Sequence, residues 1–189
     1  MTAFEPINVP HAAKLRVQDF VLLHEAGVFA DYAKSELIDG EIWVMNALWA
    51  GHAKAQSRLI QAIANGVSEA GAALEVYANL SIDLIDKSMP EPDIVVAEDH
   101  DDGAMPLAKV KLVVEISDST LDIDLGRKAG LYARSEVPEY WVVDIEGRRI
   151  IQHWSPRDGV YRDQREAAFG DDVRAATLAG VTVSSSGLA

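Results

Sequence analysis

The sequence predicts one mixed α/β domain: a mixed central β-sheet flanked by helices, with an N-terminal helix and a β-hairpin ahead of it. Three observations carry this reading. Two long stretches, 51–70 and 120–135, repeat apolar residues at helical spacing, and the shorter runs around them are alternating or continuously apolar, as strands are. The order of these elements is helix, three strands, helix, strand, which packs as helices on a sheet. The length of 189 residues, 49% of them apolar, suits a single domain with ample chain to bury a core.

Composition narrows the function classes. No apolar run approaches a membrane span, and the N-terminus lacks a basic segment followed by an apolar core. There is no cysteine, which rules out disulfides and thiolate metal sites and agrees with a cytoplasmic location. The net charge of −13 opposes general attraction to nucleic acid, whose binding draws on phosphate contacts.

Residues 1–14 show no periodicity and read as a flexible lead-in, as do 184–189 at the other end; the core is expected over about 17–154. Val17, Phe20, Val21 and His24 have helical spacing before Gly27. Residues 35–45 read as a β-hairpin, because Asp39-Gly40 suits a two-residue turn with positive φ at both central positions. The helix over 51–70 carries Leu59, Ile63 and Val67 as its apolar stripe, with His52 on that face and Gly71 as a stop. Residues 74–85 alternate as one half-buried strand. Residues 98–103 form an acidic loop whose ligand spacing does not match a calcium site.

The helix over 120–135 aligns Asp124, Lys128 and Tyr132 along one side, and Val137-Pro138 ends it. A strand at 140–143, a turn at Glu146-Gly147 and a returning strand at 149–154 follow. A further turn at 155–159 leads to a short strand at Val160-Tyr161.

The stretch 90–128 organises the rest. Asp93 opens the apolar run Ile94-Val95-Val96-Ala97 behind a proline, and Glu115 falls near the close of Leu112-Val113-Val114-Glu115-Ile116-Ser117. If these runs pair antiparallel, the start of one lies beside the end of the other, and the two carboxylates meet. Two adjacent carboxylates repel unless a cation neutralises them, and a divalent metal does so economically.

Pro92-Asp93, then Glu115-x-Ser117, then a helix carrying Lys128 resembles the PD-(D/E)XK nuclease superfamily. The words Glu36-Leu37-Ile38-Asp39-Gly40-Glu41, Val113-Val114-Glu115-Ile116-Ser117 and Val137-Pro138-Glu139-Tyr140-Trp141, with His52, Lys128 and Tyr132, resemble its Uma-type family. That family is described as restriction endonucleases and was formerly a domain of unknown function. The resemblance covers roughly 17–154. It implies a restriction-endonuclease-like core, a Mg2+- or Mn2+-dependent endonuclease acting on DNA, and a homodimer.

Metal ions can activate water, neutralise the transition state and help the leaving oxygen of a phosphodiester, and Mg2+ needs only a few hard oxygen ligands. Asp93 and Glu115 are the first ligands expected. The resemblance adds the carbonyl of Ile116 and an acid ahead of the long helix, assigned to Glu41 with Glu36 on the other hairpin strand as its alternate. Lys128 departs from the plain motif, which places lysine where Ser117 stands. As an ammonium it would stabilise transition-state charge; otherwise it forms an i,i+4 ion pair with Asp124, and both roles are compatible. His52 either binds substrate phosphate or is a satisfied histidine at a helix end. Two other readings use the same scaffold: an inactive nuclease-like binding or regulatory module, and a hydrolase of small phosphodiesters.

Overall fold

The computed structural model describes residues 12–46, 49–84 and 87–188. Most of the lead-in expected at 1–14, together with Ile85 at the end of the expected strand over 74–85, lies outside them.

Helix α1 (Val17–Glu25) and the hairpin strands β1 (Lys34–Ile38) and β2 (Glu41–Met45) come first. The turn between the strands has φ of 52° at Asp39 and 77° at Gly40, the positive pair its sequence demands. Helix α2 (Ala50–Glu69) buries Leu59, Ile63 and Val67. It ends in a Schellman motif: Gly71 has φ of 62°, its N–H donates to Ser68, and the N–H of Ala72 donates to Val67.

The expected strand over 74–85 is two strands. β3 (Glu75–Ala78) stops at Asn79, whose φ of 50° breaks the pleat, and β4 (Ile82–Asp83) pairs instead with β6 (Met105–Pro106). Alternation continues through 79–81 in sequence, but a left-handed residue redirects the chain without disturbing it. β5 (Ile94–Ala97) and β7 (Val110–Ser117) pair antiparallel, as expected, with Ile94 opposite Val114. β7 is parallel to β8 (Glu139–Asp144), and the helical crossover between them is the one such a pair requires.

That crossover is composite: α3 (Leu121–Ile123), a π-helical turn over Asp124–Lys128, and α4 (Ala129–Arg134). After β8, the hairpin of β9 (Arg149–Arg157) and β10 (Val160–Ala168) is longer than the sequence reading had it, and its turn is confined to Asp158-Gly159, with φ of 54° and 74°. The six-stranded sheet runs β10-β9-β8-β7-β5-β3.

Two strands were not foreseen, β11 (Asp172–Arg174) and β12 (Thr182–Ser184). They cover the end of α2, where Gly66 allows close approach: a Cβ there would clash with the Thr182 carbonyl oxygen. The tail, expected to fray from 184, is packed in place, with Ser185 buried and its hydroxyl donating to the Asp171 carbonyl at 2.7 Å.

The sheet separates two apolar layers because alternate residues point to opposite faces. Ile94, Val96, Val114 and Ile116 pack with Leu59 and Ile63 of α2. Val95, Val113, Val142 and Tyr140 pack with Tyr132 and Leu131 of α4. Tyr140 and Trp141 are both fully buried core residues. Among the described residues no helix is long and apolar enough to cross a membrane.

Candidate active site

The register of β5 and β7 builds the centre. One step beyond the last paired residues, Ile94 and Val114, stand Asp93 and Glu115. Both carboxylates are buried at that end of the sheet. Asp93 Oδ2 accepts the Ile116 N–H at 2.7 Å, so the aspartate caps the ladder it begins. Its carbonyl is fixed from α2, where Gln56 Nε2 donates at 2.9 Å, and by the Asn79 N–H at 3.2 Å.

His52, in the first turn of α2, approaches Asp93 Oδ2 with Nε2 at 3.2 Å. Its Nδ1 is buried and has no partner among the described residues. The stripe that buries Leu59 brings this ring to the sheet end seven residues earlier, as the spacing implied.

Lys128 Nζ lies 2.9 Å from Glu115 Oε1 and 3.1 Å from both carboxylate oxygens of Glu36. The Tyr132 hydroxyl donates to the same Glu115 oxygen at 2.9 Å. Lys34 Nζ stands 3.6 Å from Asp93 Oδ1 and 4.0 Å from Glu36 Oε1. Three buried acids, Glu36, Asp93 and Glu115, thus share buried Lys128 and half-buried Lys34 on one wall of a pocket of about 300 Å3.

The protonation balance follows from this packing. Burial pushes the Glu115 carboxyl up to about 8, with the Asp93 and Glu36 charges adding to the rise against the opposing pull of Lys128 and Lys34. Burial also opposes charge on Asp93, but the His52 contact, Lys34 and the Ile116 N–H outweigh it and hold Asp93 below the usual range. For Lys128 and Lys34 burial is likewise outweighed, by Glu115 and Glu36 together with other nearby acids, so both stay charged.

Two sequence expectations are corrected. Glu41 is not in this cluster; its side chain is 48% exposed and pairs with Lys14 at 2.6 Å and Arg127 at 2.7 Å. Glu36 takes the position in its place. Glu36 pairs with Trp43 and Ile38 with Glu41, so Glu41 sits two residues further along the hairpin, roughly 7 Å away. β1 is the inner strand, bridged to Met89 through Leu37, which buries Glu36.

The second correction concerns the ion pair between Asp124 and Lys128 that the spacing offered as the alternative role of that lysine. The turn from Asp124 to Lys128 is π-helical, which removes the four-residue stacking of an α-helix. Asp124 instead accepts the Ser117 hydroxyl at 2.5 Å and the Thr120 hydroxyl at 2.6 Å. Lys34 was missed altogether, although its alternation with Glu36 on one face of β1 was the available signal.

The mixed six-stranded sheet, with a helical crossover between β7 and β8 and helices packed on it, is a restriction-endonuclease-like nuclease fold. The chain belongs to the family described as "Uma2: Putative restriction endonuclease", whose model matches residues 17–186. Its fold is similar to the crystal structure of "a putative nuclease belonging to DUF820" from Anabaena variabilis, at a TM-score of 0.61 and 15% identity, covering 82% of this chain and 88% of that one. No curated protein matches the chain.

The donor set fits a hard divalent cation. Among the described residues no three His, Asp or Glu side chains converge closely enough to hold an ion by themselves. Mg2+ does not require that, since it keeps several waters and takes one or two carboxylates plus substrate phosphates. Asp93 and Glu115 line the same pocket with Ile116, as that mode needs.

Proposed function

We propose that this protein is a Mg2+- or Mn2+-dependent endonuclease that hydrolyses phosphodiester bonds in DNA. The observation that carries this reading is the meeting of Asp93 and Glu115 on paired strands, with Lys128 held against Glu115 inside one pocket. Asp93 and Glu115, with the Ile116 carbonyl, would hold the cation. Bound there, it supplies Lewis-acid stabilisation of phosphoryl charge and a more acidic water.

The chain's own groups do the rest. Lys128 and Lys34 remain ammonium ions and stabilise negative charge developing on the phosphoryl oxygens; neither serves as a base. His52 fixes the orientation of Asp93. Glu36 holds Lys128 together with Glu115. The Glu115 proton must leave before that carboxylate can bind a cation.

The test is Mn2+ titration calorimetry on the wild type and on Asp93→Ala/Glu115→Ala, followed by cleavage of plasmid DNA. Binding and cleavage should both be lost in the double variant while its circular dichroism is unchanged. Cleavage that survives Asp93→Ala would sink the proposal. The working form is proposed to be a homodimer, which sedimentation velocity would show as a single species of twice the chain mass.

The net charge of −13 favours a second reading, a nuclease-like module that binds without cutting. That reading requires metal binding or DNA binding with no turnover in either Mg2+ or Mn2+. Hydrolysis of a chromogenic diester without cleavage of DNA would instead favour a small phosphodiester as substrate.

A further inference from the structure

The pocket that holds the carboxylates has a second, unlike wall. It is made by Trp43, Met45 and Trp49, with Ile38 and Ile123. Trp49 is 81% exposed, more than any other large apolar residue described. It is also the N-cap of the 20-residue helix α2, where it gives no side-chain hydrogen bond. Ser, Thr, Asp or Asn would cap that helix better. Residues that break a local rule without a packing gain are expected at functional or strained positions.

Trp43 is set differently. Arg127 lies over its ring at 4.9 Å and is itself tied to the Ile38 carbonyl and Glu41. The Trp43 indole Nε1 is buried and has no hydrogen-bond partner among the described residues. The pocket's volume of about 300 Å3 is at the small end for ligand sites, which run from roughly 300 to 1,000 Å3.

Charge leaves little else to hold a strand. From residue 145 onward six arginines face six acids in number, so the whole −13 resides in residues 1–144. The two lysines in the pocket are already engaged by buried carboxylates. Duplex binding through counterion release is therefore poorly served. Stacking of bases on aromatic rings needs no such charge and tolerates any sequence. A base inside a duplex has both faces covered, so only an unpaired base can stack in this way.

We propose that the pocket mouth takes an unpaired nucleobase against Trp49 and Trp43, so that the phosphate presented to Asp93 and Glu115 belongs to a single-stranded or locally opened segment of DNA. This names the substrate class of the site and rests on the nuclease reading above. Trp49 is the binding residue at the rim, and Trp43 with Arg127 forms the rigid inner wall.

The experiment has two arms. In the first, without metal, a labelled single-stranded oligonucleotide and its fully paired duplex are titrated against the wild type, Trp49→Ala and Trp49→Phe. The single strand should bind more tightly than the duplex. Trp49→Ala should weaken single-strand binding about tenfold and Trp49→Phe much less, as loss of one stacked base predicts. Equal single-strand affinity in Trp49→Ala, or preference for duplex in the wild type, overturns the proposal. In the second arm, with Mn2+, the single strand, a bubble duplex and the full duplex are offered as substrates. Cleavage of single strand and bubble, reduced by Trp49→Ala, supports it. Equal cutting of full duplex by wild type and Trp49→Ala overturns the subsite and leaves the nuclease reading standing. Trp49-dependent single-strand binding with no cleavage of any substrate supports the subsite and removes the nuclease reading.

Discussion

Lys128 Nζ lies 2.9 Å from Glu115 Oε1, although Asp124 stands four residues before it on the same crossover. The π-helical turn decides between these partners. It releases Lys128 from its helical neighbour and carries the ammonium across to β7 and β1. Single π-turns inside helices are frequent at functional sites, and this one delivers Lys128 to the cluster.

Lys128→Ala should therefore cost more than a surface pair. Removing the ammonium strips buried Glu36 of its close ion-pair partner and Glu115 of a hydrogen-bond donor, a loss of about 3–5 kcal/mol by urea denaturation. Cleavage should fall by about 10^2–10^3-fold, the scale of losing one electrostatic stabiliser. A stability change below about 1 kcal/mol, the range of exposed pairs, would show that the cluster is not held by this lysine.

Glu36 and Glu41 separate the geometry from the sequence word. Glu36→Gln should cut cleavage at least about tenfold, because Lys128 loses the charge that positions it. Glu41→Gln, at an exposed hairpin end, should leave kcat/KM within about threefold and stability within ~0.5 kcal/mol. The reverse ranking in paired kinetic assays would return Glu41 to the site.

The metal-free protein should lose stability as pH rises. The Glu115 carboxyl is raised from 4.5 to about 8 in the folded state. Between those values the native protein keeps a proton that the unfolded chain has released. The contribution is complete below the unfolded value and is lost as pH rises through the folded one, at most about 1.4 kcal/mol per pH unit. Glu115→Gln has no such proton to lose, so its stability relative to the wild type should increase from pH 5 to pH 8 and then level off. Denaturation at five pH values checks this, and a flat difference would mean that Glu115 is already ionised at pH 6.

Gly66→Ala tests how the C-terminal strands are held. The added Cβ would press on the Thr182 carbonyl and force α2 and β12 apart. Overpacking of this kind costs about 1–3 kcal/mol and should lower the melting temperature by several degrees. An unchanged melting temperature would show that β12 is only loosely docked on α2.

Elements whose signals are local were legible along the chain. The Asp39-Gly40 turn, the Leu59-Ile63-Val67 stripe, the Gly71 stop and the two short apolar strands that carry Asp93 and Glu115 all follow from backbone preference and apolar period. The parts decided by the tertiary structure depend on long-range burial. Asn79 splits an alternating strand through its backbone angle alone. Residues 172–184 form strands because α2 offers a glycine gap at Gly66. Glu36 displaces Glu41 because β1 is the inner strand of the hairpin, and no spacing along the chain reveals which strand faces inward. Lys128 chooses Glu115 over Asp124 because five residues adopt a π-turn, and only packing against the sheet selects that turn over the α-helix the sequence spacing favours.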